Sequence, residues 1–449
     1  MQYVLLLPPL VVAAACLLIG PRRALLYVFF PIFLLLPASY MWKFSAVPAA
    51  NFHNYAFLII ASALVVATGN RAFRPSVLDL SILGYIGTAV YSELVMKGRV
   101  DFENMVARQI MFVLAPFLIG KIVGRDKRLM IAVFGAICVI GALIGWAGMY
   151  EARMGRNHFD FWRNVWPTGS SWNVNLYRAG IRRVAGPFSH PICQGYFFSL
   201  ALPLFWWLAG LGLPKRRFHR WIIGTGLILG LLLPVSRGPM IGFALAALII
   251  GFGWSRMRIL LALLGVPVAV VAFAALFAPI ASYVSVNRFD ATNKAQETVG
   301  YRRQMLEEYI PVIQESPWVG YGRRNFPVNP RLPSIDNEFL LAALSHGIPH
   351  LLFFVSILVI AILRNGLYLF RPPSDPAARL AWVFVGAFVG LTFTLTSVFS
   401  GTQTTQLQFL ILGASVVWRP ESYTASARTS RTWLEVVEEV LGLGKMKES

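Results

Sequence analysis

The chain is 449 residues long, 57% apolar and only 13% charged, with a formal net charge of +20. A soluble domain carries about 45–50% apolar and about 25% charged residues, so the composition excludes an ordinary soluble enzyme, a disordered tail and a disulfide scaffold. No basic soluble segment is visible, which argues against nucleic acid as a partner.

Residues 3–20 form an apolar run with no basic stretch before it and no small-residue cleavage site after it. Arg22-Arg23 and a second apolar run follow, a pattern that predicts a first membrane span and not a removable signal peptide. A span needs about 20 mostly apolar residues. Runs that meet or approach this length fall at about 3–20, 24–41, 55–69, 76–96, 107–124, 129–149, 192–212, 221–235, 239–254, 259–283, 338–363, 381–400 and 404–418. The expected fold is therefore an all-α polytopic membrane protein of about 12–13 transmembrane helices, with residues 1–418 as a single membrane domain. Cys16 and Cys138 lie inside apolar runs and Cys193 is remote from both, which argues against a disulfide framework or a cysteine zinc site.

Lys and Arg set the orientation of such a chain. They crowd into alternate connections, at Arg22-Arg23, Lys121/Arg125/Lys127/Arg128, Lys215/Arg216/Arg217/Arg220 and Arg364/Arg371/Arg379, and again in the tail after Trp418. These segments are expected to be cytoplasmic. Two long segments, about 150–190 and 284–336, then face the other side, the outer face. Loops longer than about 12–15 residues are usually functional or disordered. The second contains a helical stretch from Arg302 to Ile313, closed by Pro317 and the turn Gly320-Tyr321-Gly322. Residues 419–449 form a cytoplasmic tail, in which 431–442 place Trp433, Val436, Val437, Val440 and Leu441 on one side of a short amphipathic helix suited to a membrane surface.

Nucleotide-binding, metalloprotease and serine-hydrolase signatures are missing from the sequence. The histidines form no metal spacing; His346 and His350 share a helix face but lie inside a span, where packing explains them. No metal and no cofactor are expected. Arginine beside the membrane on the long-loop side is the notable feature. Arg237 sits between two apolar runs in Pro234-Val235-Ser236-Arg237-Gly238-Pro239, and ionised groups in such places usually line a cavity. Snorkelling to lipid headgroups is the plainer alternative. Arg182-Arg183 precede a Gly-Pro turn and His190-Pro191, a grouping that suits a phosphate clamp or an interfacial anchor. Arg302 and Arg303 open the loop helix, with Arg303 and Glu307 spaced for an ion pair. Asp336-Asn337-Glu338 precede a span; such residues cap helices, and a carboxylate there is also a candidate general base.

Taken together, these pieces resemble the O-antigen ligase and polysaccharide polymerase family of bacterial inner-membrane proteins. The resemblance runs from about 170 to 400. It rests on Arg183-x-x-Gly186-Pro187-Phe188-Ser189-His190-Pro191, on Ser236-Arg237-Gly238, on Arg303 leading to Ser316-Pro317-Trp318-Val319-Gly320-Tyr321-Gly322, and on Asp336-Asn337-Glu338-Phe339-Leu340 followed by Gly347. Ligases of the family carry His-Asn, nine residues and Gly; here Asp336 takes the position of the His. That departure shifts the expectation from a ligase for lipid A–core toward a polymerase.

The resemblance implies a membrane-embedded fold of the C-type glycosyltransferases and metal-independent inverting transfer. The donor would be a glycan on undecaprenyl pyrophosphate and the acceptor another glycan. Asp336, Arg237, Arg303 and Glu338 are the expected catalytic residues, with Arg183, Arg182, Arg302 and His190 binding substrate. Membrane lipid, a chain-length regulator and a flippase are the expected partners. A transporter of lipid-linked sugar is the alternative from another class, and it predicts broken helices with polar groups at mid-membrane.

Overall fold

Long apolar runs bounded by Gly, Pro and short polar residues become helices, several of them started by a side chain that satisfies the first free N–H groups. The computed structural model of the chain describes residues 6–37, 41–44, 47–69, 75–160, 177–178, 180–265, 267, 292, 294–323, 325–332 and 334–419. The helices are α1 (Leu7–Leu18), α2 (21–35), α3 (Phe52–Thr68), α4 (Val77–Lys97), α5 (Arg99–Arg125), α6 (Lys127–Met154), α7 (Pro191–Gly210), α8 (Arg217–Leu232), α9 (Arg237–Trp254), α10 (Lys294–Glu315), α11 (Glu338–Gly366), α12 (Pro376–Leu395) and α13 (Thr402–Val417). Asn51, Asp126 and Asp375 cap α3, α6 and α12 through their side chains, and Ser76 with Asp79 forms a capping box on α4.

Among the described residues, seven helices are long and apolar enough to cross a membrane: α4, α5, α6, α7, α9, α11 and α12. The protein is thus an all-α polytopic membrane protein. The runs expected to span at 3–20, 24–41, 55–69, 221–235 and 404–418 fall on α1, α2, α3, α8 and α13, all shorter than those seven. The run at 259–283 begins on a short helix, 258–265, and from 268 onward lies outside the described residues, as do 161–176, 284–291 and the tail helix expected at 431–442.

Three details correct the sequence-based boundaries. The second run stops at Leu35, and Met41–Phe44 pairs antiparallel with Val47–Asn51 as strands β1 and β2. Pro37 and Pro48 lack the N–H that a continuing helix needs. The fifth helix begins at Arg99, directly after the Gly98 that ends α4, not near residue 107. The loop helix begins at Lys294, so Arg302 and Arg303 lie well inside it and do not open it.

Small residues decide which helices touch. Where water is absent, close backbone approach substitutes for hydrophobic drive. Gly120 and Gly124 of α5 meet the backbone of Leu410 and Ala414 on α13; Gly145 of α6 meets Gly226 of α8; Gly242 of α9 meets Gly390 of α12. A side chain at any of these positions would overlap a neighbouring backbone. Helices α4 and α11 run antiparallel: His346 Nδ1 lies 3.2 Å from Ser92 Oγ, and one turn further His350 Nδ1 lies 3.0 Å from Thr88 Oγ1. The start of α11 and the end of α4 therefore share one end of the bundle, together with α10 and the turn that follows it. This is the loop end.

Candidate anion-binding site at the loop end

Four arginines from separate segments meet there. A tight antiparallel hairpin of β3 (Tyr177–Arg178) and β4 (Ile181–Arg182) carries the first two. Arg178 Nη1 donates to the Val235 carbonyl at 3.0 Å and Arg183 Nε to the Pro234 carbonyl at 2.8 Å. Both acceptors belong to the turn between α8 and α9. Val235 there has φ +50°, a left-handed conformation that is a genuine outlier for a β-branched residue. Such strain, worth about 1–3 kcal/mol, persists only where surrounding structure imposes it and concentrates at functional sites.

Below the hairpin, the buried Glu151 carboxylate accepts the N–H groups of Ala185 (3.2 Å) and Gly186 (3.0 Å), and Asn157 Nδ2 donates to the Gly186 carbonyl at 2.7 Å. These contacts fix the stretch from Arg183 to His190. Arg182 turns away and donates to the Gly155 carbonyl at the end of α6, an anchoring contact.

Arg237 is the first residue of α9 and is exposed. The next residue, Gly238, lies so close to Ser397 that a side chain there would overlap it. The Ser397 carbonyl also accepts Arg302 Nη2 at 3.4 Å, which brings the fourth arginine in from α10. That helix is held by a small second core of Met305, Tyr309, Leu332, Leu340 and Leu344. The Tyr301 hydroxyl donates to the Ser334 carbonyl at 2.6 Å, and the Ser334 hydroxyl donates to Asp336 Oδ1 at 2.6 Å. Helix α10 thus positions Arg302 and Asp336 together.

Burial pushes the Arg183 guanidinium down to about 10, the like charge of Arg178 adds to this, and Asp336 opposes it. Burial likewise lowers Arg178, helped by Arg237 and opposed by Asp336. Arg302 is lowered by burial and by Arg178 and Arg237, with Asp336 again opposing. Asp336 is therefore the common counter-charge of the cluster. His190 caps α7, its Nδ1 accepting the Ile192 N–H at 3.1 Å. Burial pushes its pKa down to about 4, Arg183 lowers it further and Asp336 raises it, so the ring is neutral near pH 7.

Other sequence candidates lie elsewhere. Arg303 faces outward and pairs with Glu307 at 2.6 Å. Asn337 is the residue that caps α11, accepting the Leu340 N–H at 3.1 Å, which frees both neighbouring acids from that task. Glu338 points away from the arginines, accepts the Ser400 N–H at 2.6 Å and feels the charge of Arg108. His346 and His350 belong to the α4–α11 contact, and among the described residues no three His, Cys, Asp or Glu side chains form a metal-sized group.

The Ser316–Gly322 segment and Gly347 turn out to be one structural device. Helix α11 breaks at Gly347, φ +81°. The turn packs into the break, with Ile348 N–H donating to the Pro317 carbonyl at 2.7 Å and Tyr321 N–H to the Leu344 carbonyl at 3.0 Å. A Cβ on Gly347 would lie 2.6 Å from the Trp318 backbone.

Arg178, Glu151, Ser334 and Ser397 were not singled out from the sequence. Only Arg178 had a local signal: a two-residue connection with Gly180 at φ +76° places it across from Ile181, beside Arg183.

An arginine carries five N–H donors in a planar fork that matches phosphate oxygens. Arg178 and Arg183 each use one on a backbone carbonyl and are thereby aimed. Among the described residues, Asp336 alone does not balance four such groups. The fold defines a polytopic membrane protein with a cluster of arginines at one end, a candidate anion-binding site. Residues 222–355 match the model of a family described as O-antigen ligase (Wzy_C). The matched stretch holds Arg237, Arg302, Arg303, Asp336, Glu338 and Gly347, while Arg178, Arg183 and His190 precede it. No curated protein matches the chain.

Proposed function

We propose that the protein is a polymerase of bacterial surface polysaccharide or exopolysaccharide, working on the periplasmic side of the inner membrane. The observation that carries this is the cluster of Arg178, Arg183 and Arg302 around the carboxylate of Asp336, with Arg237 close enough to act on Arg178 and Arg302. The arginines hold the pyrophosphate of an undecaprenyl-linked glycan. An acceptor hydroxyl attacks the anomeric carbon from the opposite face, the C–O bond to pyrophosphate breaks, and the electron pair leaves with the lipid pyrophosphate. The hydroxyl proton passes to Asp336. Positive groups already in place where charge develops stabilise the transition state without reorganising, so no metal is required. A base must lie within hydrogen-bond reach of the proton it takes, and the bond from Ser334 fixes one oxygen of Asp336 and leaves the other to act as the acceptor.

A transporter needs broken helices that line a cavity. The break in α11 is instead filled by the backbone of Pro317 and Trp318.

The deciding experiment gives purified protein the lipid-linked repeat unit alone, in nanodiscs. A polymerase forms a ladder of lengthened, lipid-linked chains with no second acceptor, and Arg237→Ala abolishes it. Product only when lipid A–core is added would make the protein a ligase. No product in either case, or a ladder undiminished in Arg237→Ala, would overturn the assignment.

A further inference from the structure

A second polar cleft, of about 160 Å³, opens at the same end, between the last turn of α4, the first turns of α5 and residue 323. Its floor is a clamp: Glu93 accepts the Arg323 N–H, Lys97 donates to the Arg323 carbonyl, and Lys97 pairs with Glu93 at 3.6 Å. Asp101, Asn104, Met105 and Arg108 line the wall, and they fall at i, i+3, i+4 and i+7, one face of α5. Arg108 lies over the Phe112 ring, 4.5 Å from its centroid, which holds the guanidinium against the wall. Directly below, residues 110–114 form a π-helical turn, a distortion found mostly at functional sites. Gln406 of α13 donates to the Met111 carbonyl inside that turn at 3.2 Å, so the distortion is built into the packing.

The chemistry differs from that of the arginine cluster. Glu93 and Asp101 stand against Lys97, Arg108 and Arg323, so the cleft is close to charge balance. Carboxylate acceptors, amide and guanidinium donors and one apolar thioether together suit a neutral polyol, with hydroxyl groups that both donate and accept. The volume is below the roughly 300–1,000 Å³ of sites that hold drug-sized ligands, which fits one ring of a longer chain left in solvent.

The cleft also stands in a definite relation to the first site. Asp336 acts on the arginine cluster, while Glu338, two residues on, feels Arg108 from the cleft wall. Residues 336–338 at the start of α11 thus link the two sites.

We infer that the cleft walled by Asp101, Asn104 and Arg108 seats the terminal sugar of the acceptor glycan. This rests on the glycosyltransferase reading above, and the test separates the two. Two probes are titrated onto the full chain in nanodiscs: undecaprenyl pyrophosphate, and the lipid-free oligosaccharide released by mild acid from the host's lipid-linked glycan. Asp101 and Asn104 are exposed, so the Asp101→Asn/Asn104→Ala double variant keeps its fold, which unchanged thermal unfolding checks. That variant should weaken oligosaccharide binding at least about tenfold, the loss of one or two hydrogen bonds to a charged group, and leave undecaprenyl pyrophosphate binding unchanged. Arg237→Ala should do the reverse. Oligosaccharide binding that is absent from the wild type, or unchanged in the double variant, overturns the acceptor site. Failure of the donor reading appears separately, as lipid pyrophosphate binding that is absent or indifferent to Arg237→Ala.

Discussion

The two ends of the helix bundle treat positive charge in opposite ways. At the end away from the long loops, several cations are matched close by. Lys121 reaches both oxygens of Asp79 at 2.8 and 2.7 Å, Arg22 pairs with Asp126 and Arg371 with Asp375, each at 3.3 Å. Arg364 donates to the carbonyls of Ser415 and Trp418 at the end of α13, and Arg258 to those of Leu369 and Arg371. At the loop end, among the described residues, Asp336 acts on Arg178, Arg183 and Arg302, and the like charges of these and of Arg237 act against one another. Partly buried like charges are costly unless something compensates them. Matched cations hold a bundle together; an unmatched cluster is a place prepared for an anion.

The contrast can be broken most sharply at the loop end. Arg178→Ala should lower polymer output in cells about a hundredfold or more, as removal of preorganised transition-state donors does, with normal membrane insertion. Arg178→Lys should recover only part of it, because a single ammonium lacks the fork. Full polymer from Arg178→Ala would remove this residue from the site. The opposite end should respond in stability instead. Lys121→Ala leaves Asp79 partly buried without its partner, and a loss of about 3–5 kcal/mol is expected, read as a lower unfolding temperature in detergent with lipid pyrophosphate affinity unchanged. Restored stability in a Lys121→Met/Asp79→Leu variant would show that the pair serves packing alone.

Gly347→Ala tests the joint between α11 and the 317–322 turn. Its left-handed φ and the nearby Trp318 backbone predict a cost above about 1 kcal/mol, seen as faster proteolysis of the loop. The smallest effect concerns His190. Its pKa is lowered from 6.5 to about 4, so the unfolded chain binds the extra proton first. The stability from its neutral ring is complete above pH 6.5 and is lost as pH falls toward 4. His190→Asn keeps a capping side chain and should flatten the unfolding temperature by a few degrees across that window. An unchanged slope would place the pH dependence elsewhere.

The class of fold was legible because apolar run length and the placement of Lys and Arg are properties of the chain itself. The site was legible only where it is local. Arg183 and Arg237 stand beside turn residues, and Asp336 before a capping Asn, so each drew attention singly. Arg302 and Arg303 differ by 100° of helix phase, and which one faces the cluster depends on a helix that starts at Lys294 and on the Ser397 carbonyl supplied by α12. Arg178 enters through a hairpin whose value lies in a turn some fifty residues away. Asp336 and Glu338 are equivalent in sequence and face different neighbours only after Ser334 and Ser400 have taken their hydrogen bonds.

The hairpin arginines carry a final consequence. Because Arg178 and Arg183 are each tied to a carbonyl of the strained Pro234–Val235 turn, their rotamers are settled when the chain folds and not when a ligand arrives. Long side chains normally surrender such freedom on binding, at about 0.5–1.5 kcal/mol each. Here that loss falls on folding, so an anion arriving at the cluster meets two guanidinium groups already held in place.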